Sequence, residues 1–426
     1  MRVVVVGSGA GGATAARELQ TRGHQVTVLE AGEAFRPFSR RLGWAHAIRR
    51  TGLLGSERTI GRFFPPLRTT RVDDGMVLVW GMAPGGTTTL STGNLVRSDN
   101  GLRGVGVDLT PEFQELEGTI GVAGTPRERW RPASVDMYEA ARAMGLDPVP
   151  TPKMVDATRC VSCGLCELGC ATSARWDARR FLDDAVARGA VLRTGSPVTR
   201  VLLEGGRATG VQVGQGRSAE SLRADAVVLA AGAIGTARVL EASGIPTSDT
   251  LWVDVVLTVA GQRGGAAMLE EPPMVWYARR DHYMLSPYFD LLALFFHRPW
   301  RHRPVKDHVG VMIKLADTAA GSVDGGGRVR KALTEEDRER LDVAREEAIA
   351  IMQDADVSGP YVDGVLNGGH LGGTVPLARG DADAMRPSSL PRGLWVADLS
   401  LAPRASGMPT VLVAAALALR VARRMD

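Results

Sequence analysis

The sequence lacks several features that would place it in a special class of protein. Aromatic residues make up only 5% of its 426 residues. No run reaches the ~18 consecutive apolar residues of a membrane-spanning helix. No basic stripe is interleaved with aromatics, and 51 basic against 47 acidic side chains leave a net charge of only +4. We therefore expect no membrane span and no nucleic-acid partner.

Cysteine is also scarce, and no leader segment is visible before the first strand-like run at residue 3. All four cysteines lie between Cys160 and Cys170. Hydrophobic residues at 44% and charged residues at 23% are typical of a globular protein, and the length suffices for two domains. We expect a cytoplasmic protein, in which clustered cysteines favour metal or redox chemistry over disulfides.

The start of the chain predicts a dinucleotide-binding unit. The apolar, β-branched run Val3–Val6 reads as a buried parallel strand, and Gly7-Ser8-Gly9-Ala10-Gly11-Gly12 follows at once. A helix over Ala13–Arg22 and a second strand over His24–Leu29 come next. This order of strand, glycine-rich turn, helix and strand is the context that a GxGxxG motif requires.

Each residue of the motif has a physical role. Gly7 permits the tight turn, Gly9 lets the backbone approach a pyrophosphate, and Gly12 lets the helix pack closely on the strand. The helix N-terminus offers free N–H groups to phosphate. Glu30 follows the second strand, where an acidic side chain can accept a hydrogen bond from a ribose hydroxyl.

Two later segments repeat the pattern of a strand followed by small residues. Val77–Trp80 leads into Gly85–Thr89, and Ala226–Ala230 leads into Ala231-Gly232 and a helix through Leu240. Leu394–Asp398 is a further buried strand. Small residues at such points suit close approach of the backbone to a cofactor.

The remaining elements are predicted from periodicity and capping. Residues 108–150 contain two helices, at Thr110 and over Val135–Met144, and further helices span Arg175–Arg188, Thr334–Gln353 and Thr410–Arg424. Val191–Thr194, Val198–Leu203 and Ala208–Val213 are strand candidates. An antiparallel sheet is expected from the runs Leu251–Thr258, Met274–Ala278, Val309–Leu315 and Val323–Val329.

Five segments, in order, resemble the glucose–methanol–choline (GMC) family of flavin oxidoreductases. They are Gly7–Gly12 with Glu30, Gly85–Thr88, Val228–Gly235, Gly369–Thr374, and Leu394–Asp398 with the helix after Pro409. The resemblance implies an α/β fold with a discontinuous Rossmann-like FAD-binding domain and an α+β substrate domain with an antiparallel sheet. We expect the first domain over 1–107, 181–246 and 365–426, and the second over 108–180 and 247–364.

The resemblance also implies FAD as cofactor and extends the set of residues expected to bind it. Beyond Gly7, Gly9, Gly12 and Glu30, that set comprises Ala10, Gly11, Ala31, Gly86, Thr87, Thr88, Asn94, Val198, Ala231, Gly232, Asp398, Pro409 and Thr410.

His370 is the candidate catalytic residue. The family oxidises alcohols with a histidine that takes the hydroxyl proton while hydride passes to the flavin, and His370 matches that histidine. The family usually places His or Asn just before the proline of the last helix, whereas this chain has Met408, whose thioether is a poor hydrogen-bond acceptor. Either His370 works alone, or Asn367 or Ser406 substitutes, or the chemistry differs.

Cys160, Cys163, Cys166 and Cys170 have the C-x2-C-x2-C-x3-C spacing of a ferredoxin segment. Gly164 and Gly169 would let the loop curl around a cluster, but Ala171 replaces the proline that follows the last cysteine in ferredoxins. One 4Fe–4S cluster, a zinc ion and unmetallated thiols are all compatible with this spacing.

The leading interpretation is an alcohol dehydrogenase that passes electrons to a carrier protein or a quinone-type acceptor. An electron-transfer or scaffold subunit without its own turnover and a flavin reductase or desaturase are the alternatives. The apolar run over 291–296 with basic residues after it could touch a membrane surface, but a core element ending in a solvated loop is the favoured interpretation.

Overall fold

The predicted α/β fold class is confirmed in a computed structural model that describes residues 1–38, 49–52, 56–216 and 219–425. The helices are α1 Ala10–Thr21, α2 Glu57–Phe63, α3 Thr110–Ile120, α4 Pro132–Ala143, α5 Arg179–Ala187, α6 Gly232–Ala242, α7 Leu291–Phe296, α8 Glu335–Asp354 and α9 Val411–Arg424. The strands are β1 Arg2–Val6, β2 Gln25–Leu29, β3 Leu67–Arg71, β4 Val77–Gly81, β5 Ala123–Gly124, β6 Val149–Pro150, β7 Pro152–Lys153, β8 Val191–Arg193, β9 Val198–Glu204, β10 Arg207–Val213, β11 Glu220–Arg223, β12 Ala226–Leu229, β13 Val255–Gln262, β14 Trp276–Arg279, β15 Tyr283–Pro287, β16 His308–Leu315, β17 Ser322–Val323, β18 Val329–Arg330, β19 Ser358–Asp363, β20 Asn367–Gly368 and β21 Leu394–Val396.

A parallel sheet carries the start of the chain. Its strand order is β21-β12-β1-β2-β8, and β1 pairs with β2 on one side and with β12 on the other. Val3 to Val6 are buried, which explains why the run contains no polar residue. The chain runs from β1 to β2 and β8 on one side and later returns to β12 and β21 on the other, so the strand order reverses at β1. Open α/β sheets bind ligands beyond the carboxyl ends of the strands at such a point.

A larger, mostly antiparallel sheet has the order β3-β4-β20-β13-β16-β15-β14-β6, with β19 also pairing with β13. Strands β13 and β16 pair along their full length, from Val255 opposite Leu315 to Gln262 opposite His308. The short β20 lies between β4 and β13. This placement holds the segment that contains His370 against the large sheet.

Two hydrophobic cores follow from the two sheets. One surrounds the parallel sheet and includes α1 and α9, which pack against each other. The other surrounds the large sheet and includes α4 and α8. Helix α8 begins with the predicted capping box, in which Thr334 accepts from the backbone of Asp337 and Asp337 accepts from that of Thr334.

The helix predicted over Arg175–Arg188 begins later, at Arg179. The Arg175 amide donates to Cys170 Sγ at 3.4 Å, and its buried guanidinium donates to the carbonyls of Thr88 and Thr89. Asp177 then accepts from the amide of Arg179 at 3.1 Å. Residues 175–178 are therefore held in contacts with other segments, and the helix starts after them.

The large sheet also differs in detail from the expectation. The strand predicted over Leu251–Thr258 is shifted to Val255–Gln262, because Asp254 has a φ of 46° that interrupts the extended backbone. The strand predicted over Val323–Val329 is a hairpin apart from the large sheet, in which Asp324 Oδ1 accepts from the amides of Gly326 and Arg328. Eight of the strands in the described ranges were not predicted: β3, β5, β6, β7, β11, β15, β19 and β20.

The apolar run over 291–296 forms the short helix α7, and its Leu291, Ala293 and Leu294 are buried. This packing favours a core element over a membrane contact. In the described part of the chain, we find no helix with the length and apolar character needed to cross a bilayer. The domain boundaries stay a prediction, although β3 and β4 join the large sheet rather than the parallel one.

Candidate active site

The glycine-rich turn after β1 needs its glycines for different reasons. Gly7 has a φ of +96°, and a Cβ there would lie 2.3 Å from the Ala230 carbonyl oxygen. A Cβ on Gly12 would lie 2.0 Å from the Gly7 carbonyl oxygen, in agreement with its predicted packing role. Gly9 differs, since the nearest atom to its Cβ would be Gly86 Cα at 3.9 Å. The backbone at Gly9 is therefore open on the side where a phosphate would approach.

Glu30 follows β2, is buried and holds this turn in place by hydrogen bonds. Its Oε2 accepts from the amide and hydroxyl of Ser8 at 3.1 and 2.5 Å, and its Oε1 accepts from the Gly32 amide at 2.8 Å. Burial raises the pKa of Glu30 against these hydrogen bonds. A carboxylate can accept about four hydrogen bonds, so these three are compatible with the predicted ribose contact.

Asp398, just beyond β21, ties two chain segments together. Its Oδ2 accepts from the Gly232 amide at 2.9 Å and from Thr236 Oγ1 at 2.6 Å, and its Oδ1 accepts from the Ser400 amide at 2.8 Å. Burial raises its pKa above the usual range. The first turn of α6 is thereby fixed beside the carboxyl end of the parallel sheet.

The segment at Gly85–Thr88 lies against the glycine-rich turn. Gly86 has a φ of +53°, and a Cβ there would lie 2.8 Å from Gly9 Cα. Thr87 Oγ1 accepts from the Gly81 amide at 3.0 Å, while Thr88 Oγ1 donates to the Gly85 carbonyl and accepts from the Ala178 amide. Two glycine-rich segments far apart in sequence thus meet at one place.

A cavity of about 680 Å³ lies where these segments meet. All but one of the residues predicted to bind the cofactor line it, the exception being Gly12. The lining residues of that set are Gly7, Gly9, Ala10, Gly11, Glu30, Ala31, Gly86, Thr87, Thr88, Asn94, Val198, Ala231, Gly232, Asp398, Pro409 and Thr410.

His370 lines the same cavity and belongs to a group of buried charges. Its Nδ1 contacts Lys314 Nζ and lies 3.7 Å from Asp254 Oδ2. Its side chain is 28% exposed. Burial lowers the pKa of His370, the nearby Lys314 lowers it further, and Asp254 opposes both effects. The ring is therefore neutral at physiological pH, as a proton acceptor must be.

A family model described as GMC oxidoreductase matches residues 2–262 of this chain. The chain belongs to the GMC oxidoreductase family. Two uncharacterized GMC-type oxidoreductases of Mycobacterium tuberculosis, from strains CDC 1551 / Oshkosh and ATCC 25618 / H37Rv, are each 31% identical over 295 residues. Those residues are 64% of this chain and 43% of each relative, so the match spans less than half the length of the relatives.

The crystal structure of pyridoxine 4-oxidase from Mesorbium loti has the same fold. It superposes with a TM-score of 0.70 at 18% identity and covers 99% of this chain and 98% of its own. GMC oxidoreductases use FAD. The open backbone side of Gly9, next to α1 and within the cavity, fits the diphosphate of that cofactor.

The GMC position before the last helix is occupied by a methionine that is fully packed. Met408 is 1% exposed and clusters with Met274, Met284 and Met312. Of the two proposed substitutes, Asn367 lines the cavity, whereas Ser406 is oriented to accept from the Met408 amide at 3.3 Å. The sequence did not decide whether Asn367 or Ser406 is the partner of His370.

Sequence reasoning missed four polar residues near the cavity: Lys314, Asp254, Glu167 and Tyr288. Tyr288 donates to Glu167 Oε1, and burial raises the pKa of Glu167 to about 8, so that its carboxyl carries a proton at neutral pH. Lys314 and Asp254 each interrupt an apolar run of the sequence. A charge within such a run was the available signal, because a buried charge needs a partner.

The cysteine segment does not form the arrangement that a metal site requires. Gly164 and Gly169 have positive φ, as a curled loop needs, but the four cysteines are free thiols. Within the described ranges, no group of three or more His, Cys, Asp or Glu side chains is placed to hold a metal ion. The 4Fe–4S cluster with Cys160, Cys163, Cys166 and Cys170 as ligands, and the zinc alternative, are therefore not supported.

The thiols instead lie in different environments. Cys163 is exposed, whereas burial raises the pKa of Cys166 to about 12. Burial acts in the same direction on Cys170, but hydrogen bonds from Thr172 and from the Arg175 and Ala174 amides outweigh it and lower its pKa. Free thiols in different environments fit this structure.

Proposed function

We propose that this GMC family member is an FAD-dependent enzyme that oxidises an alcohol CH–OH group and passes the electrons to a carrier protein or a quinone-type acceptor. The observation that carries the proposal is that His370 and the glycine-rich turn line one cavity. A proton acceptor and a nucleotide-binding turn are thereby within one ligand-sized space.

Different residues around the turn would bind different parts of FAD. Gly9 and the N-terminus of α1 face the diphosphate, and Glu30 offers a carboxylate to a ribose hydroxyl. Asp398 and Thr410 line the cavity from the far end of the chain. When bound, FAD accepts the hydride that leaves the substrate carbon.

His370 accepts the proton that the alcohol releases in this reaction. Oxidation of an alcohol breaks its O–H bond, and the proton must be held as the carbonyl forms. Since Nδ1 is directed to Lys314, we expect Nε2 to be the ring nitrogen that faces the substrate. A positioned base of this kind contributes roughly 10²–10⁴-fold to the rate.

The cavity wall points to an alcohol with an apolar part. Val256, Met274 and Met312 line the cavity and belong to one apolar cluster. Thioether side chains adapt their shape to the group that they contact. We therefore expect apolar and aromatic alcohols to be better substrates than sugars or other polyols.

One observation favours a second candidate, an electron-transfer or scaffold subunit that binds FAD without its own turnover. Met408 is apolar and fully packed where the family usually has a second polar residue. Such a protein would bind FAD but would not be reduced by any alcohol.

The experiment that separates the two candidates is anaerobic mixing of the FAD-loaded protein with a panel of alcohols, followed by the flavin absorption band. The enzyme should lose that band with at least one apolar alcohol. His370→Ala and His370→Asn should keep FAD but react at least about 10²-fold more slowly. His282→Ala, which changes an exposed histidine outside the cavity, is the matched control. Flavin reduction at the wild-type rate in both His370 variants would show that His370 is structural.

A further inference from the structure

Lys314 lies in the middle of an apolar strand. On strand β16 it pairs with Val256 of β13 on one side and with Met284 of β15 on the other. Its side chain is 3% exposed, yet it lines the cavity beside His370. Burying a lysine costs free energy unless a partner compensates, so its position needs an explanation.

Lys314, His370 and Asp254 form a triangle of close contacts. Its Nζ contacts His370 Nδ1 and lies 3.7 Å from Asp254 Oδ2, and His370 Nδ1 lies at the same 3.7 Å from that oxygen. One carboxylate oxygen therefore faces both nitrogen atoms.

Asp254 is held rigidly in this orientation. Its Oδ1 accepts from the amides of Ser406 and Gly407 at 2.9 and 2.7 Å. Its Oδ2 is buried and has no hydrogen-bond partner among the described residues. An oxygen in this situation stabilises a positive charge placed on either nitrogen.

The proton between Lys314 Nζ and His370 Nδ1 can be bonded to either nitrogen. If Lys314 is an ammonium, it donates to Nδ1, and the neutral ring carries its proton on Nε2 and cannot accept another there. If Lys314 is a neutral amine, it accepts from Nδ1–H, and Nε2 is free to take a proton. The two states differ by one proton.

We propose that Lys314 is the positioning residue that makes His370 a base and holds the proton that His370 removes. This inference rests on the proposed function. As the substrate O–H bond breaks, the proton bonds to His370 Nε2, and the Nδ1 proton moves to Lys314 Nζ. The electron pair of the C–H bond leaves with the hydride to FAD. The resulting ammonium faces Asp254 Oδ2, which gives this chain a second proton-handling group where Met408 offers none.

The surrounding charges are consistent with this assignment. Burial lowers the pKa of Lys314, against the opposing effects of Asp254 and Asp317. Asp317 is in turn paired with Lys331 at 2.7 Å. The neutral amine exists above the pKa of Lys314, so the state in which His370 is a base is populated as pH rises.

The test is nitrogen NMR of the FAD-loaded protein with labelled histidine, in which the His370 signals are assigned by their loss in His370→Asn. Ring nitrogen shifts distinguish Nδ1–H from Nε2–H. We expect the wild-type ring to change from Nε2–H to Nδ1–H as pH rises. Lys314→Arg, a permanent cation, should stay Nε2–H throughout, and Lys314→Met should show no such transition.

Two further variants control for damage to the fold. Lys314→Met with Asp254→Asn removes both charges while it keeps an acceptor for the Ser406 and Gly407 amides, so it should bind FAD even if the single variant does not. Lys331→Met removes another buried lysine and should leave the His370 transition in place. A wild-type ring that keeps one tautomer over the whole pH range, or a transition that survives Lys314→Met, would overturn the proposal.

Flavin reduction supplies an independent measurement. With an alcohol that the wild type oxidises, the rate should rise with pH through the transition seen by NMR, and Lys314→Arg should be slower by about 10²-fold or more and lack that rise. An unchanged pH profile in Lys314→Arg would overturn the proposal. If no alcohol reduces the wild-type flavin, the proposed function fails, and the ring titration alone still decides whether Lys314 controls the proton on His370.

Discussion

At the scale of single residues, glycines of one motif have opposite tolerances for a side chain. A Cβ on Gly11 would lie 1.9 Å from the Ala397 carbonyl oxygen, whereas a Cβ on Gly9 meets its nearest atom only at 3.9 Å. Gly9 also has an ordinary negative φ of −68°. The sequence placed both glycines at the cofactor, but only the folded chain shows that one is required by packing and the other is open to a ligand.

Gly9→Ala should therefore fold normally and lose FAD, because the new methyl group occupies the space that a diphosphate would need. We expect wild-type circular dichroism and at least a tenfold weaker affinity for FAD. Gly9→Val should bind still less. Bound flavin measured after gel filtration is the readout.

Gly11→Ala is the matched control for this prediction, since it adds the same methyl group two residues further along the chain. It should lower the melting temperature, because the methyl group clashes with backbone that cannot move easily. Full FAD occupancy in Gly9→Ala would remove Gly9 from the cofactor site.

Lys314 and Asp254 show why part of the site was not predictable. His370 was identified because its flanking glycines form a recognisable pattern. Lys314 is 56 residues away and contacts His370 only because β20 pairs with β13, which pairs with β16. A lysine within an apolar run signals a buried charge, but strand pairing decides which group it meets.

At the scale of elements, short-range signals were reliable and long-range ones were not. The nucleotide unit and the capping box of α8 depend on neighbouring residues, and both were predicted correctly. The strand at Val255 was misplaced because Asp254 adopts a positive φ that is stabilised by Ser406 and Gly407, far along the chain. Strand β15, which pairs with the neighbouring β14 as well as with the more distant β16, was also missed.

The cysteine segment allows a prediction that separates free thiols from a metal site. We expect anaerobic alkylation of the native protein to modify Cys163, which is exposed, and Cys170, whose pKa is lowered, before Cys166, which burial keeps a thiol with a pKa of about 12. Thiolate is the reactive form, so the order follows from the structure. Mass spectrometry of timed samples measures it.

An iron and sulfide assay on the same anaerobic preparation is the control. Equal protection of all four cysteines together with about four iron atoms per chain, the content of a 4Fe–4S cluster, would contradict the free-thiol interpretation. It would restore the cluster that the spacing suggests.

Strand β16 begins with a histidine that couples folding to pH. His308 is fully buried between Phe289 and Trp300, with ring centroids at 5.2 and 4.8 Å. Within the described part of the chain, neither of its ring nitrogens has a hydrogen-bond partner. Burial, with help from Arg303 and Arg49, lowers the pKa of His308 to about 3.

A histidine whose pKa is lowered on folding contributes stability above its unfolded value of about 6.5 and loses it as pH falls. The loss should approach about 1.4 kcal/mol per pH unit between pH 6.5 and 3. His308→Phe should remove this part of the acid sensitivity, as measured by melting temperatures from pH 7.5 to 4.5. His282→Gln, at an exposed position, is the control and should leave the slope unchanged. An equally steep loss of stability in His308→Phe would contradict this account.

At the scale of the whole molecule, the cavity joins the two sheets. Gly9 and Asp398 belong to the surroundings of the parallel sheet, whereas Met312 and Lys314 lie on the large one, and all four line the cavity. A ligand that reaches across this space binds only the folded arrangement of both sheets. FAD should therefore stabilise the molecule as a unit.

We expect FAD added to the apoprotein to raise the melting temperature in proportion to the logarithm of its concentration. A ligand at 100 times its dissociation constant stabilises by about 2.7 kcal/mol. With an unfolding entropy of about 2 cal/mol/K per residue, this corresponds to roughly 3 °C. At the same concentration, ADP, which lacks the flavin half, should give a smaller shift, because it contacts the parallel-sheet side alone and therefore binds more weakly. Gly9→Ala should reduce both shifts. Equal shifts at equal concentrations of ADP and FAD would mean that the flavin half makes no contact that strengthens binding, and the pairing of cofactor and His370 in one site would then be wrong.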